Sequence, residues 1–110
     1  MKKYLLAAIL LAPLMTPIAF AECSKEAAPA IPDGASATEQ EMIAGQQAVK
    51  SYIASSNAYL ECLDAEGVAA GADELPEFKD ARLSTYNAAV DEMTGVGDQF
   101  NAAVKAFKAR

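Results

Sequence analysis

The sequence predicts an all-α protein: an antiparallel two-helix hairpin with an extended, Pro-rich N-terminal strap pinned by one disulfide. Three observations carry this. Apolar residues recur at helical spacing through two long segments, and no β-type alternation occurs. The segments are separated by the Gly-bearing stretch 67–73 (GVAAGAD). Only two cysteines are present, Cys23 and Cys62, one on each side of the first helix start.

Residues 1–21 read as a secretory signal peptide. Lys2 and Lys3 form a positive n-region, Tyr4 to Met15 an apolar h-region, and Ala19-Phe20-Ala21 a small-residue cleavage site. A membrane span needs about 20 apolar residues, and Pro13 and Pro17 interrupt this run. Lipidation of Cys23 is the rival reading, but Glu22 stands where a small residue is needed. The expected mature protein is periplasmic or secreted, with nothing after residue 21 to insert in a membrane.

Removing the leader changes the composition. The whole chain of 110 residues is 53% hydrophobic, and 16 of those positions lie in the leader. Nine basic residues less the two leader lysines leave seven against fifteen acids, a net charge of −8. An acidic body of this kind lacks the basic footprint of a nucleic-acid binder.

Residues 22–35 (ECSKEAAPAIPDGA) carry Pro29, Pro32 and Gly34 and no helical period, so they read as an extended strap. Ser36-x-x-Glu39 and Thr38-x-x-Glu41 then offer two overlapping capping boxes. The first helix is expected over about 37–66. Met42, Val49, Ile53, Leu60 and Leu63 share one face with Gln46 and Ser56, Tyr52 and Tyr59 flank it, and Gly67 is the expected stop. A turn over about 67–73 follows, with Asp73 as the expected cap of a second helix over about 74–108 and Pro76 in its first turn. There Leu83, Tyr86, Val90, Met93, Gly97, Phe100, Val104 and Phe107 follow a coiled-coil-like seam. Folding at the turn pairs Leu60 with Leu83, Ile53 with Val90, Val49 with Met93 and Met42 with Phe100. Gly45 and Gln46 then lie opposite Gly97.

The cysteines have one intrachain pairing, with an intermolecular bridge as the alternative. Cys62 lies about 36 Å along the first helix from its start. The 15 residues between Cys23 and that start reach at most about 50 Å. The strap is therefore long enough to run back along the hairpin over the Tyr52/Tyr59 face. Redox catalysis lacks the usual C-x-x-C pair.

For function, the chain excludes more than it selects. It has no His for acid–base work and no nucleophile motif. Gly95-Val96-Gly97 lacks a third glycine, and the ligand patterns of haem or zinc are missing, so no cofactor is expected. Met42 and Met93 fit core packing better than copper. The unusual electrostatic feature is the hairpin tip, where Glu61, Asp64, Glu66, Asp73, Glu74, Glu77 and Asp80 gather against Lys79 and Arg82. Asp64, Glu66, Asp73 and Glu74 are the weak metal candidates there, although a solvated turn explains the same residues. The other candidate surface is apolar: Tyr52, Tyr59 and Tyr86 are suited to contact a protein partner or a second copy in a four-helix bundle.

Cys23, Pro29, Pro32-Asp33-Gly34-Ala35-Ser36-Ala37-Thr38, Glu41-Met42, Val49, Tyr52 and Tyr59-Leu60-x-Cys62-Leu63 resemble a group of small exported two-cysteine helical proteins of Gram-negative bacteria. That group has no known activity, so the resemblance implies a compartment and a cysteine pairing only. The expectation is a non-catalytic, periplasmic protein-interaction or chaperone-like module. The alternative is a small cation or ligand binder using the acidic tip.

Overall fold

The computed structural model describes residues 23–110; the leader and Glu22 lie outside the described residues. Two long helices, α1 (Glu39–Ala70) and α2 (Pro76–Ala109), form an antiparallel hairpin around a short 3-10 turn, Gly71–Asp73. No strand occurs among the described residues.

Of the two capping boxes, the second starts α1. The Glu41 N–H donates to Thr38 Oγ1 at 3.1 Å, and the Thr38 N–H donates to the Glu41 carboxylate at 3.3 Å. Ser36 is occupied elsewhere: its N–H and that of Ala37 donate to the Asp33 carbonyl, while Asp33 Oδ1 accepts from the Ala35 N–H. This tight turn delivers the strap into the helix, so α1 begins at 39 rather than 37. Thr38→Ala removes one partner of the box and is expected to cost about 1 kcal/mol. A thermal melt unchanged in that variant would contradict the assignment.

The far end corrects the sequence reading twice. Gly67 does not stop α1, which continues to Ala70. The residue that must turn left-handed is Gly71, at φ 64°, and its N–H returns to the Gly67 carbonyl. Gly67 serves a different need, because the Arg82 guanidinium packs where its side chain would begin. Asp73 does not cap α2 either. It lies in the 3-10 turn, and the N-cap is Leu75, with ψ 138°. Pro76 forces this, since a residue before proline is driven out of the helical region.

The core forms two clusters joined by Ile31 and Phe100. One holds Ala37, Met42 and Ala103; the other holds Val49, Tyr52 and Val96, with Ile53 and Met93 at its edge. Phe100 therefore packs against the cluster that holds Met42, and Met93 against the one that holds Val49. The deeper line on α2, however, is Ala89, Val96 and Ala103, while Leu83 and Val90 of the expected seam are exposed. The cause is the strap. α2 turns its small side chains toward the three-way junction with α1 and the strap, which rotates the larger seam residues outward.

The strap lies in the groove between the helices. Cys23 and Cys62 are disulfide-bonded, with Cα atoms 5.6 Å apart. The Glu26 N–H donates to Ser55 Oγ at 3.0 Å, and the Ser51 hydroxyl donates to the Glu26 carboxylate at 3.2 Å. Pro32 packs on Gly45, where a Cβ would meet the proline ring, and buried Gly34 sits against the Ala103 carbonyl. Gly45 is thus a site of close approach by the strap, not by Gly97. Arg110 Nη1 donates to the Ala35 carbonyl at 3.3 Å and ties the end of α2 to the strap.

Candidate functional site

The strap seat is built around Tyr52. Its ring is fully buried, and its hydroxyl donates to Glu92 Oε1 at 2.6 Å. Lys25 Nζ donates to the same oxygen at 2.6 Å and stands 5.6 Å from the Tyr52 ring centroid. Strap, α1 and α2 are therefore joined at one carboxylate. Ser56, one turn beyond Tyr52, is also fully buried. Its hydroxyl makes no hydrogen bond, although it is near enough to Tyr52 to favour the phenolate weakly.

Hydrogen bonds to Glu92 shift Lys25 and, after burial, Tyr52, and Glu92 is shifted in turn. Hydrogen bonds from Lys25 and then Tyr52 hold the Glu92 carboxyl below its ordinary value. The bond to Glu92 raises Lys25, and burial, followed by the bond to Glu92, raises Tyr52. The signs fix two limbs. Glu92 contributes stability that is complete above its unfolded value near 4.5 and is lost as pH falls through the lower folded one. Lys25 and Tyr52 contribute stability that is complete below pH 10.0 and is lost as pH rises through their folded values. Because Lys25 and Glu92 are partly exposed, solvent screening keeps both effects modest. Glu92→Gln is expected to flatten the acid limb, read as the melting temperature between about pH 3 and about pH 6. A variant with the wild-type acid slope would show that this carboxylate is not the anchor.

Tyr52 is thereby removed from the candidate contact residues, because strap and helices enclose it. Tyr59 and Tyr86 remain half-buried on α1 and α2. The residues that replace Tyr52 as contact candidates are the exposed Ile43, Leu83 and Val90, at 48%, 43% and 37% exposure. By helical phase they face away from the strap. Near the open end of the hairpin this face holds a groove of about 190 Å³ lined by Met42, Ile43, Gln46, Phe100, Val104 and Phe107, with Glu39 at its edge. Exposed apolar residues on an otherwise amphipathic helix were the available signal, since Ile43 falls outside the Met42–Leu63 face.

The acidic tip does not assemble the metal candidates. Glu74 is half-buried and ion-paired with Arg82 at 2.7 Å. Glu66 lies against the disulfide, with a carboxylate oxygen 3.1 Å from Cys23 Sγ. A disulfide sulfur carries no proton, so this is a contact rather than a hydrogen bond. Among the described residues, the one trio of potential ligands within mutual reach is Cys23, Cys62 and Glu66. Two of those three are spent on the disulfide. Asp64 and Asp73 stay exposed and outside any such group.

Among the described residues no helix is long and apolar enough to cross a membrane. No protein-family model, curated protein or solved structure matches the chain.

Proposed function

We propose that the protein is a non-catalytic, chaperone-like or adaptor-like contact module of the cell envelope. One observation carries this: the strap covers one face of the hairpin, while the opposite face keeps Leu83 and Val90 exposed along α2 and Ile43 exposed at an apolar groove near the open end. A solvated hairpin has no need of that stripe, whereas a partner surface does. The disulfide fits an oxidising compartment, as does the leader-like start of the chain. The lack of histidine supports a role without acid–base chemistry.

The test is site-specific photo-crosslinking in intact cells. A photoreactive residue replacing Val90 should capture protein adducts, while one replacing Ala28, exposed on the strap that covers the other face, should not. Equal capture at both positions, or none at Val90, would contradict a contact role for this face.

A further inference from the structure

We infer that Cys23, Cys62 and Glu66 form a redox-gated zinc site. With the disulfide reduced, their two thiolates and one carboxylate hold a single Zn2+ that takes over the pinning of the strap. The site goes beyond the contact reading and stands or falls apart from it.

Its frame is helical. Cys62 and Glu66 are four residues apart in α1, so their side chains leave one face of the helix a turn apart. Two ligands at i and i+4 make a rigid half-site, the spacing that paired metal-binding histidines use on a helix. The strap lays Cys23 over this pair. The two sulfurs and a carboxylate oxygen lie within 4.8 Å of one another, and that oxygen is 3.1 Å from Cys23 Sγ. Tetrahedral zinc, with bonds of about 2.3 Å to sulfur and about 2.0 Å to oxygen, sets its ligand atoms about 3.5–3.8 Å apart. Cα atoms 5.6 Å apart let Cys23 and Cys62 reach that spacing by side-chain rotation once the sulfurs part. No sequence motif marks the site, because 39 residues separate the cysteines.

The oxidised protein gives Glu66 little reason to lie here. A disulfide sulfur offers its carboxylate no proton. Among the described residues no cation pairs with it, since Arg82 is ion-paired with Glu74. The strap also has anchors beside Cys23. Lys25 Nζ donates to Glu92 at 2.6 Å, and the Glu26 N–H donates to Ser55 Oγ at 3.0 Å. These contacts keep the Cys23 thiol at a high effective concentration around Cys62 after reduction, even in a loosened strap.

The donor set selects the metal. Two thiolates favour a soft or borderline cation over calcium or magnesium, and the added carboxylate with tetrahedral spacing favours Zn2+ over Cu(I). Cys23 and Cys62 are half-buried and Glu66 is exposed, so the ion can enter from solvent. Two thiolates, a carboxylate and Zn2+ sum to −1, and Arg82 lies near enough to feel the Glu66 charge and offset it. The gate is thiol–disulfide exchange with an external dithiol. Two electrons and two protons pass to Cys23 and Cys62, and the dithiol leaves as a disulfide. Zinc then displaces both thiol protons to water. Disulfide and zinc therefore exclude one another while serving the same strap.

The test uses residues 22–110, reduced with a phosphine, freed of reductant under nitrogen and titrated with Co2+ and then Zn2+. One Co2+ per chain should bind with tetrahedral d–d bands and the charge-transfer intensity of two thiolates, and one equivalent of Zn2+ should bleach both. Zinc should restore at least half of the melting temperature lost on reduction. Glu66→Gln should melt like wild type when oxidised, yet bind Zn2+ more than roughly tenfold more weakly when reduced. Asp64→Asn, exposed and outside the trio, should change the affinity less than roughly twofold. Cys62→Ser should lose the two-thiolate band. Absence of that band in the reduced wild type, equal zinc affinity in Glu66→Gln, or one Co2+ shared between two chains would each overturn the site. So would zinc binding that leaves the reduced melting temperature where it was. None of these outcomes bears on Val90 cross-linking, which tests the contact reading separately.

Discussion

Reducing the disulfide, or replacing Cys62 by Ala, is expected to lower the melting temperature by about 15 °C or more. Cys23 and Cys62 are 39 residues apart, and closing a loop of that length is worth about 4 kcal/mol in the chain-entropy model. In a domain of this size each kcal/mol moves the midpoint by about 4–8 °C. The loss should be larger than an ordinary surface staple would give, because the strap contributes core. Ile31 belongs to both clusters, and the strap completes the enclosure of Tyr52. The helices themselves should persist in part, since Met42, Val49, Val96 and Phe100 still meet without the bridge. The check is paired thermal melts, oxidised and reduced, followed by far-ultraviolet circular dichroism. A shift of only one or two degrees would mean that the strap is ordered by its other contacts alone.

Gly34→Ala is expected to be nearly as damaging, from a single methyl group. A Cβ at Gly34 would fall on the Ala103 carbonyl, which is helical backbone of α2 and cannot move aside as a flexible side chain would. Either the turn through Asp33 and Ala37 opens or the strap lifts from the groove. Both outcomes lose buried contacts around Ala37 and Ala103, with a cost on the order of 2–3 kcal/mol. Gly95→Ala provides the opposite sign. Nothing lies within 4 Å of the new methyl group, so replacing a mid-helix glycine should stabilise by about 0.5–1 kcal/mol. Urea unfolding of the two variants should therefore move the midpoint in opposite directions. Movement in the same direction would show that the strap does not seat where Gly34 places it.

The hairpin and its disulfide were legible in the sequence because both are set by arithmetic. The period of the apolar residues fixes two helices, and the reach of 15 residues decides whether a strap can return to Cys62. Less legible was anything that depends on three segments meeting. Gly67 has the form of a helix stop, yet its lack of a side chain is used to admit Arg82. Tyr52 has the form of a flank residue, yet the strap turns that flank into core. The line Ala89, Val96, Ala103 recurs every seven residues, and small side chains at that spacing mark where another segment presses close. The large seam residues beside it give the stronger apolar pattern and mask that line. Lys25 and Glu92 gave no warning, because two charges 67 residues apart reveal a shared partner only once the strap has been laid in its groove.

Everything assigned to the open face depends on the strap sealing the other one, and tyrosine nitration tests that most directly. The described residues hold Tyr52, Tyr59 and Tyr86, of which Tyr52 alone is fully buried. Nitration needs an accessible phenol and proceeds through its ionised form, and burial with the Glu92 bond opposes both at Tyr52. With the disulfide intact, peptide mass mapping should find nitrated Tyr59 and Tyr86 and unmodified Tyr52. After reduction, Tyr52 should become reactive. Nitration of Tyr52 at the rate of Tyr59 in the oxidised protein would contradict the pinned strap, and with it the assignment of one closed and one open face.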